Sequence, residues 1–467
     1  MSPVAPERPP PRPPAEEPGD GYAVSPELVR LVVHALRDGL DDEVRALVGP
    51  LHAADLADLT EALAADQRET LVAVLGPALD PAVLAELDEP VRDGVIEQIA
   101  PEALAAHAAR LDTDDAAYVL EDLEVAERKK VLDAMPPGDR ELVAEALSYP
   151  EASAGRLMQR DYVAVPQYWT IGQVIDWLRE SGDLPDDFYE IFVVDPTHSP
   201  VGTVPLNRAM RTKRPVPVAE IMATDQKLIP VAMDQEEVAF LFDHYNLMSA
   251  AVVDPDGRMI GQITIDDVVD VIQEEHEEDL HRLGGVSAEG DIHRSAGETT
   301  RARFAWLLVN LFTAALASVT IALFADTIAQ IVALAILMPI VASMGGNAGT
   351  QTLTVAVRAL ATRELTAANA ARIFWKETIV GGYNGLGFAL LAGILAWAWF
   401  GEPMLAVVIG LAMVVNLVVA GMSGILIPLA MWRAGIDPAV SAAVLLTTVT
   451  DVVGFFAFLG LAKWILL

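Results

Sequence analysis

The chain of 467 residues contains no cysteine. That excludes disulfides, thiolate metal sites and cysteine nucleophiles, and leaves the redox compartment open. Basic residues are scarce through the first 300 positions. From Arg301 onward there are eight Lys/Arg and six Asp/Glu, so the earlier residues hold 23 basic and 60 acidic side chains. So acidic a surface disfavours nucleic acid and anionic lipid and favours cations. The long apolar segments after Arg301 lack interior charge of either sign, with one exception. Between Asp437 and Lys463 the single ionisable side chain is Asp451. A carboxylate near the middle of a bilayer costs roughly 2.5 kcal/mol or more, so it faces a pore, a partner or a cation.

What is present divides the chain. A net charge of −35 beside a mean hydropathy of +0.36 describes an acidic soluble half joined to an apolar membrane half. Residues 1–24 are Pro- and Glu-rich without an apolar core, which reads as a disordered tail and no signal peptide. From 25 to 150 the sequence is rich in Ala and Leu at helical spacing, with Pro and Asp at the starts, as in Thr113-Asp114-Asp115-Ala116-Ala117-Tyr118. Short helices every dozen or so residues suggest an all-α helical repeat, usually a contact surface.

Between 151 and 284 an internal repeat appears. Phe192-Val193-Val194-Asp195 is echoed by Ala251-Val252-Val253-Asp254, and Pro200-Val201-Gly202 by Met259-Ile260-Gly261, both at an offset of 59 residues. Each unit reads as strand, helix, apolar strand, Asp turn, strand, helix. These residues resemble a tandem pair of cystathionine-β-synthase (CBS) domains, an α/β regulatory module. The second unit keeps a Ser/Thr-x-x-Asp pattern at Thr264 and Asp267, which by that resemblance implies an adenosine-nucleotide site with ATP as ligand. The first unit has Pro205 and Arg208 at the matching positions, which weakens the site.

The repeat ends in a run of acids, Asp266, Asp267, Asp270, Glu274, Glu275, Glu277, Glu278 and Asp279. At helical spacing Asp267, Asp270 and Glu274 share one face, and Glu275, Glu278 and Asp279 a neighbouring one. Like charges so placed repel unless something neutralises them. A solvated face and a site for hard divalent cations both fit, and Asp58, Asp114, Asp115 and Asp122 could complete the latter. Residues 285–303 form a polar connector leading into the membrane.

Five apolar spans follow, about Phe304–Ala325, Ile328–Val357, Thr378–Phe400, Met404–Met431 and Ala439–Ala462, each long enough for a bilayer. Lys and Arg sit before the first span and in the second and fourth loops. The positive-inside rule therefore puts the N-terminal half in the cytoplasm and the C-terminus outside. The second span carries Pro339 and then Gly345-Gly346-Asn347-Ala348-Gly349-Thr350-Gln351. Either the helix breaks there and exposes carbonyls to a hydrated cation, or the glycines let helices pack closely. Asn347 and Gln351 favour the break.

That glycine run, Val357-Arg358-Ala359-Leu360-Ala361-Thr362-Arg363, Thr450-Asp451-Val452-Val453-Gly454 and Tyr149-Pro150-Glu151 through Met158 resemble the MgtE family of magnesium channels. The order of parts matches from about residue 25 to the end. The resemblance implies a homodimer in the plasma membrane with an Mg2+-selective pore on its axis. Asp451 from each subunit would hold hydrated Mg2+ with Gly345, Gly346, Asn347, Gly349 and Thr447, while Gln351 and Thr450 line the pore. It also implies that cytosolic Mg2+ closes the pore through a connecting "plug" helix near Ile292–Arg303. The matching acids are Asp234, Glu236, Asp267, Asp270, Glu275, Glu278 and Asp279, with Asp114 and Asp115 from the N domain. Three departures stand out: Asn246 where an acid is expected, Ala443 and Val444 in place of an Asn-Pro-like pair, and Tyr118 among the N-domain acids.

Rival readings are a conductor of Co2+ or Mn2+, for which spans without Cys or His give no support, and a membrane-anchored CBS sensor that does not conduct. Enzymatic activity is not expected, because the spans contain no nucleophile–base arrangement.

Overall fold

The computed structural model describes residues 24–182, 184–185, 188–286 and 296–467. The tail before Val24 and the start of the expected connecting helix, Ile292–Ser295, lie outside them. The chain divides into two compact units, one ending at Asp267 and one beginning at Val268.

The first unit opens with ten α-helices between Pro26 and Ala146, none longer than 13 residues. Their ends follow local chemistry. Ser25 caps the first helix by accepting from the Leu28 amide at 3.2 Å, and Gly39 closes it in the left-handed conformation. Pro26, Pro101 and Pro137 each begin a helix, where the missing N–H costs nothing. One core of Val32, Leu59, Leu84, Leu104 and Leu120 unites these helices. Arg92 is buried in the same region, 1% exposed, with its guanidinium 4.0 Å above the Tyr118 ring and ion-paired to Asp122. Tyr118 is thus a stacking platform for a buried cation.

Two three-stranded sheets follow, β1 (Ala164–Pro166), β2 (Glu190–Val194) and β3 (Pro200–Pro205), then β4 (Leu228–Pro230), β5 (Ser249–Val253) and β6 (Met259–Thr264). In each the first pair is parallel and the second antiparallel. The register shifts at Val193/Val194 in one and at Val252/Val253 in the other. The repeat therefore extends to the same bulge at equivalent positions. Asn246 caps the helix Gln235–Tyr245 with φ 53°, a left-handed position that Asn tolerates and an acidic side chain would fill less readily.

The helix Ile265–Leu283 leaves the second sheet. Beyond it, five helices among the described residues are long and apolar enough to cross a membrane. The first runs Ala296–Ala322, the second Ala333–Ala361, the third Ala370–Phe400, the fourth Pro403–Arg433 and the fifth Pro438–Leu466. The connector from Ala296 is thus continuous with the first span, and no separate helix ends at Arg303. A short helix, Ala325–Gln330, occupies the first loop. The fourth helix is the most enclosed of the five, with Leu405, Val408, Ile409, Ala412 and Leu417 in the membrane core.

The expected break does not occur. The second helix is α-helical throughout, across Pro339 and all three motif glycines. A single proline removes one donor, which neighbouring helices can compensate. The donor that Pro339 lacks would have served the Ala335 carbonyl; separately, the Asn416 amide Nδ2 of the fourth helix donates to the Val341 carbonyl at 2.8 Å, an added tie between the two helices.

Candidate cation sites

Asn416 explains the glycines. It is fully buried, with 0% exposure, and lies between the second and fifth helices. A Cβ on Gly345 would meet its Nδ2 at 2.2 Å, and one on Gly454 would meet the same atom at 2.8 Å. The Gly-Gly-Asn run and the Thr-Asp-x-x-Gly run therefore each contribute a glycine to one asparagine-sized slot. Gly349 has a different neighbour, Leu446, whose side chain lies 3.0 Å from its would-be Cβ. Gly345 and Gly349 face the interior of the helix bundle, and their role here is close helix packing. A continuous helix commits its carbonyls to bonds four residues on, so the expected supply of liganding carbonyls from a break is absent.

The outward face of the second helix is polar. Ser343, Asn347, Thr350, Gln351 and Thr354 are all exposed, the first three at spacings of four and three residues. On the fifth helix Thr447 is exposed and Asp451, one turn on, is half-buried. Thr447 approaches the second helix at Gly346, where an added Cβ would lie 4.0 Å from Thr447 Cγ2. Asp451, Asn347, Thr447 and Gly346 are thus compatible with one surface. Thr450 is not. It is fully buried, and its hydroxyl donates to the Leu446 and Thr447 carbonyls at 3.2 and 3.0 Å. One residue's step turns a helix by about 100°, which carries Thr450 off the face of Asp451. Gln351 lines a separate cavity with Glu377 and Asn384.

In the cytosolic half the expected acids fall into different settings. Asp114 is buried, one carboxylate oxygen has no hydrogen-bond partner, and of the surrounding charges Asp267 acts on it most. Burial, then the charges of Asp267, Asp115 and Asp112, hold the Asp114 carboxyl well above the usual range. Asp267 is pushed up to about 7, chiefly by burial, although it accepts from Thr264 Oγ1 at 2.7 Å and Gln159 Nε2 at 3.1 Å. Thr264 and Asp267 therefore do come together, as the nucleotide reading required, but engage each other. Glu121 also rises to about 7 through burial, opposed by Arg156. Asp234 is spent as a helix cap, accepting from the Glu236 amide at 3.0 Å. Among the described residues no three His, Asp or Glu side chains converge into a metal-binding group.

Sequence reasoning missed Asp437. This residue of the last loop pairs with Arg282 near the end of the helix Ile265–Leu283, and Arg282 pairs also with Glu278. Burial raises the carboxyls of Glu278 and Asp279, and the Asp437 charge adds to both. Asp270 is exposed and Glu275 half-buried on the same helix. A loop acid offers no periodic signal, so only the fold places it there.

Three families match the chain. Residues 338–461 match MgtE, described as a divalent cation transporter, 51–152 match the MgtE intracellular N domain, and 218–274 match the CBS domain. The "Magnesium transporter MgtE" of Thermus thermophilus is 32% identical over 438 residues, covering 92% of this chain and 97% of that protein. The protein of the same name from Bacillus subtilis is 26% identical, covering 93% of this chain and 97% of its own length. A solved structure described as the cytosolic domain of the Mg2+ channel MgtE in complex with ATP shares 30% identity over 52% of this chain and 99% of that one, with a TM-score of 0.49. By the near-full-length identity to the Thermus protein, the chain belongs to the MgtE family.

Proposed function

We propose that the chain conducts Mg2+ across the plasma membrane as a homodimer, with its N-terminal half in the cytoplasm and its C-terminus outside. One observation carries the reading: the outward face Ser343, Asn347, Thr350 and Thr354 of the second helix is polar, and Thr447 and Asp451 of the neighbouring helix are not enclosed by their own protomer. Lipid cannot satisfy such a face, and a carboxylate least of all. A second copy across a two-fold axis gives it a wet lumen. Two Asp451 carboxylates then meet an ion through its waters, which suits Mg2+ because it dehydrates reluctantly and keeps several waters. Asn347 and Thr447 supply further oxygens, Gly346 leaves room beside Thr447, and Gly345, Gly349 and Thr450 support the wall from behind.

Closure by cytosolic Mg2+ belongs to the same proposal. Asp114 with Asp267, and Glu278 with Asp279, are pairs of carboxyls whose charge is disfavoured where they stand. A divalent cation shared through water relieves each pair, so occupancy biases one arrangement over another. Asp115, Asp234, Glu236, Asp270 and Glu275 supply the surrounding negative field. ATP at Thr264 and Asp267 would bring its phosphates near acids, which a bound divalent cation would offset.

The deciding experiment is Mg2+ flux into proteoliposomes, with Co2+, Mn2+ and Ca2+ as competitors. Flux that Asp451→Ala abolishes is the expected result. Flux undiminished in that variant overturns the pore, no flux in the wild type favours a silent sensor, and preference for Co2+ or Mn2+ moves the substrate.

A further inference from the structure

A cavity of about 210 Å³ lies between the second, third and fourth membrane helices, away from Asp451. Its polar lining comes from Gln351 and Thr352 on the second helix and Glu377 and Asn384 on the third. The Glu377 side chain is 14% exposed. Its one ion pair among the described residues is with the adjacent Lys376, at 3.3 Å, and that lysine is 70% exposed. Such a rim pair is worth little and leaves the carboxylate to face the cavity. Glu377 follows Ala370 by seven residues, about 10 Å into the helix, and Asn384 lies about 10 Å beyond it.

The wall is built, and not a packing gap. The third and fourth helices touch backbone to backbone: a Cβ on Gly381 would meet the Leu417 carbonyl at 2.5 Å, and one on Gly421 the Glu377 carbonyl at 2.7 Å. Small residues thus fix the floor beneath Glu377 while the side facing the second helix stays open. With about 30 Å³ for each liquid water, the space holds roughly seven, enough for a hydrated ion. The donor set is one carboxylate, two amide groups and a hydroxyl, all hard oxygens with no soft ligand.

We propose that Glu377, with Gln351 and Asn384, forms a second cation site that takes a hydrated divalent ion at the inner end of the membrane domain. The carboxylate supplies the charge, and the two amides orient the ion's water shell. Gln351 lies one turn beyond Asn347, at the flank of the polar face of the second helix, so the site shares an element with the candidate pore while its charge comes from the third helix.

Site-resolved anomalous diffraction from crystals of the full chain soaked in millimolar Mn2+ tests this. A manganese peak within about 5 Å of Glu377 is expected in the wild type, since one shell of water separates ion and ligand. It should vanish in the isosteric Glu377→Gln while manganese at other positions remains. No peak there in a wild-type crystal that binds manganese elsewhere overturns the site. So does a peak that survives Glu377→Gln. Asn384→Ala serves as a second variant, and should weaken the peak without removing it.

Discussion

Gly345 and Gly346 are adjacent, belong to one motif and sit in one helix, yet the structure assigns them opposite tolerances. Alanine at either gains about 1 kcal/mol of helix propensity. At Gly346 the new methyl meets only Thr447 Cγ2 at 4.0 Å, an ordinary contact. At Gly345 it would stand 2.2 Å from Asn416 Nδ2 and 3.0 Å from Oδ1, so the asparagine must leave. Overpacking of that kind costs about 1–3 kcal/mol. Loss of the 2.8 Å bond to the Val341 carbonyl leaves a buried amide unsatisfied, for about 1–3 kcal/mol more. Gly345→Ala is therefore expected to be destabilising by about 1–5 kcal/mol, and Gly346→Ala to be neutral or slightly stabilising. Thermal unfolding of the full chain in lipid nanodiscs measures both. The double variant Gly345→Ala/Asn416→Ala should recover part of the loss, with a coupling of at least about 1 kcal/mol. Equal losses at both glycines, or no recovery in the double variant, would refute the slot.

Three further expectations concern the cytosolic half. Asp267 stands at about 7 when folded against 3.8 for a free side chain, so the folded chain binds the extra proton between those values. Its stabilising share is full below about 4 and is lost as pH rises through 7. In chelator the melting temperature should fall from pH 5 to pH 8, and Asp267→Asn should flatten that fall; an unchanged slope in the variant rules Asp267 out as its source. Asp122→Ala strips the nearer of two carboxylate partners from the buried Arg92, leaving Asp93 at 3.8 Å, and should cost about 1–3 kcal/mol, read by chemical unfolding of the same protein. Neutralising Asp267, Asp270, Glu275 and Glu278 together should leave the channel open at millimolar cytosolic Mg2+, and patch recordings that still show closure would reject cation sensing.

Much of this was legible before any fold. Asp451 announced itself as the lone charge in an apolar run, and the 59-residue echo predicted two like units, to which the structure adds a shared bulge. Pro and Asp were expected at the starts of the N-domain helices, and Pro26, Pro101 and Pro137 do begin helices. What was hidden depends on contacts between distant segments. Asn416 reads as one polar residue in a long apolar helix, and its partner Val341 lies 75 positions away. The glycine run fitted both a break and a packing surface, and only the position of Asn416 decides for packing. Thr450 was misplaced because motif adjacency to Asp451 says nothing of rotation around a helix. Asp437 was passed over because a loop acid has no periodicity to betray it.

The unbroken helix from Ala296 to Ala322 has a mechanical consequence. Its 27 residues span about 40 Å, and without an interior proline it has no hinge at which to absorb a bend. Among its described residues Ala317 and Thr320 are buried, and its one extensive neighbour among the described elements is the fifth helix, which carries Asp451. It therefore behaves as a lever resting on a single bearing. A tilt of a few degrees displaces the far end by a few ångströms, with no loss in transmission along the rod. Force applied at Ala296 is thus directed to the helix that bears Asp451.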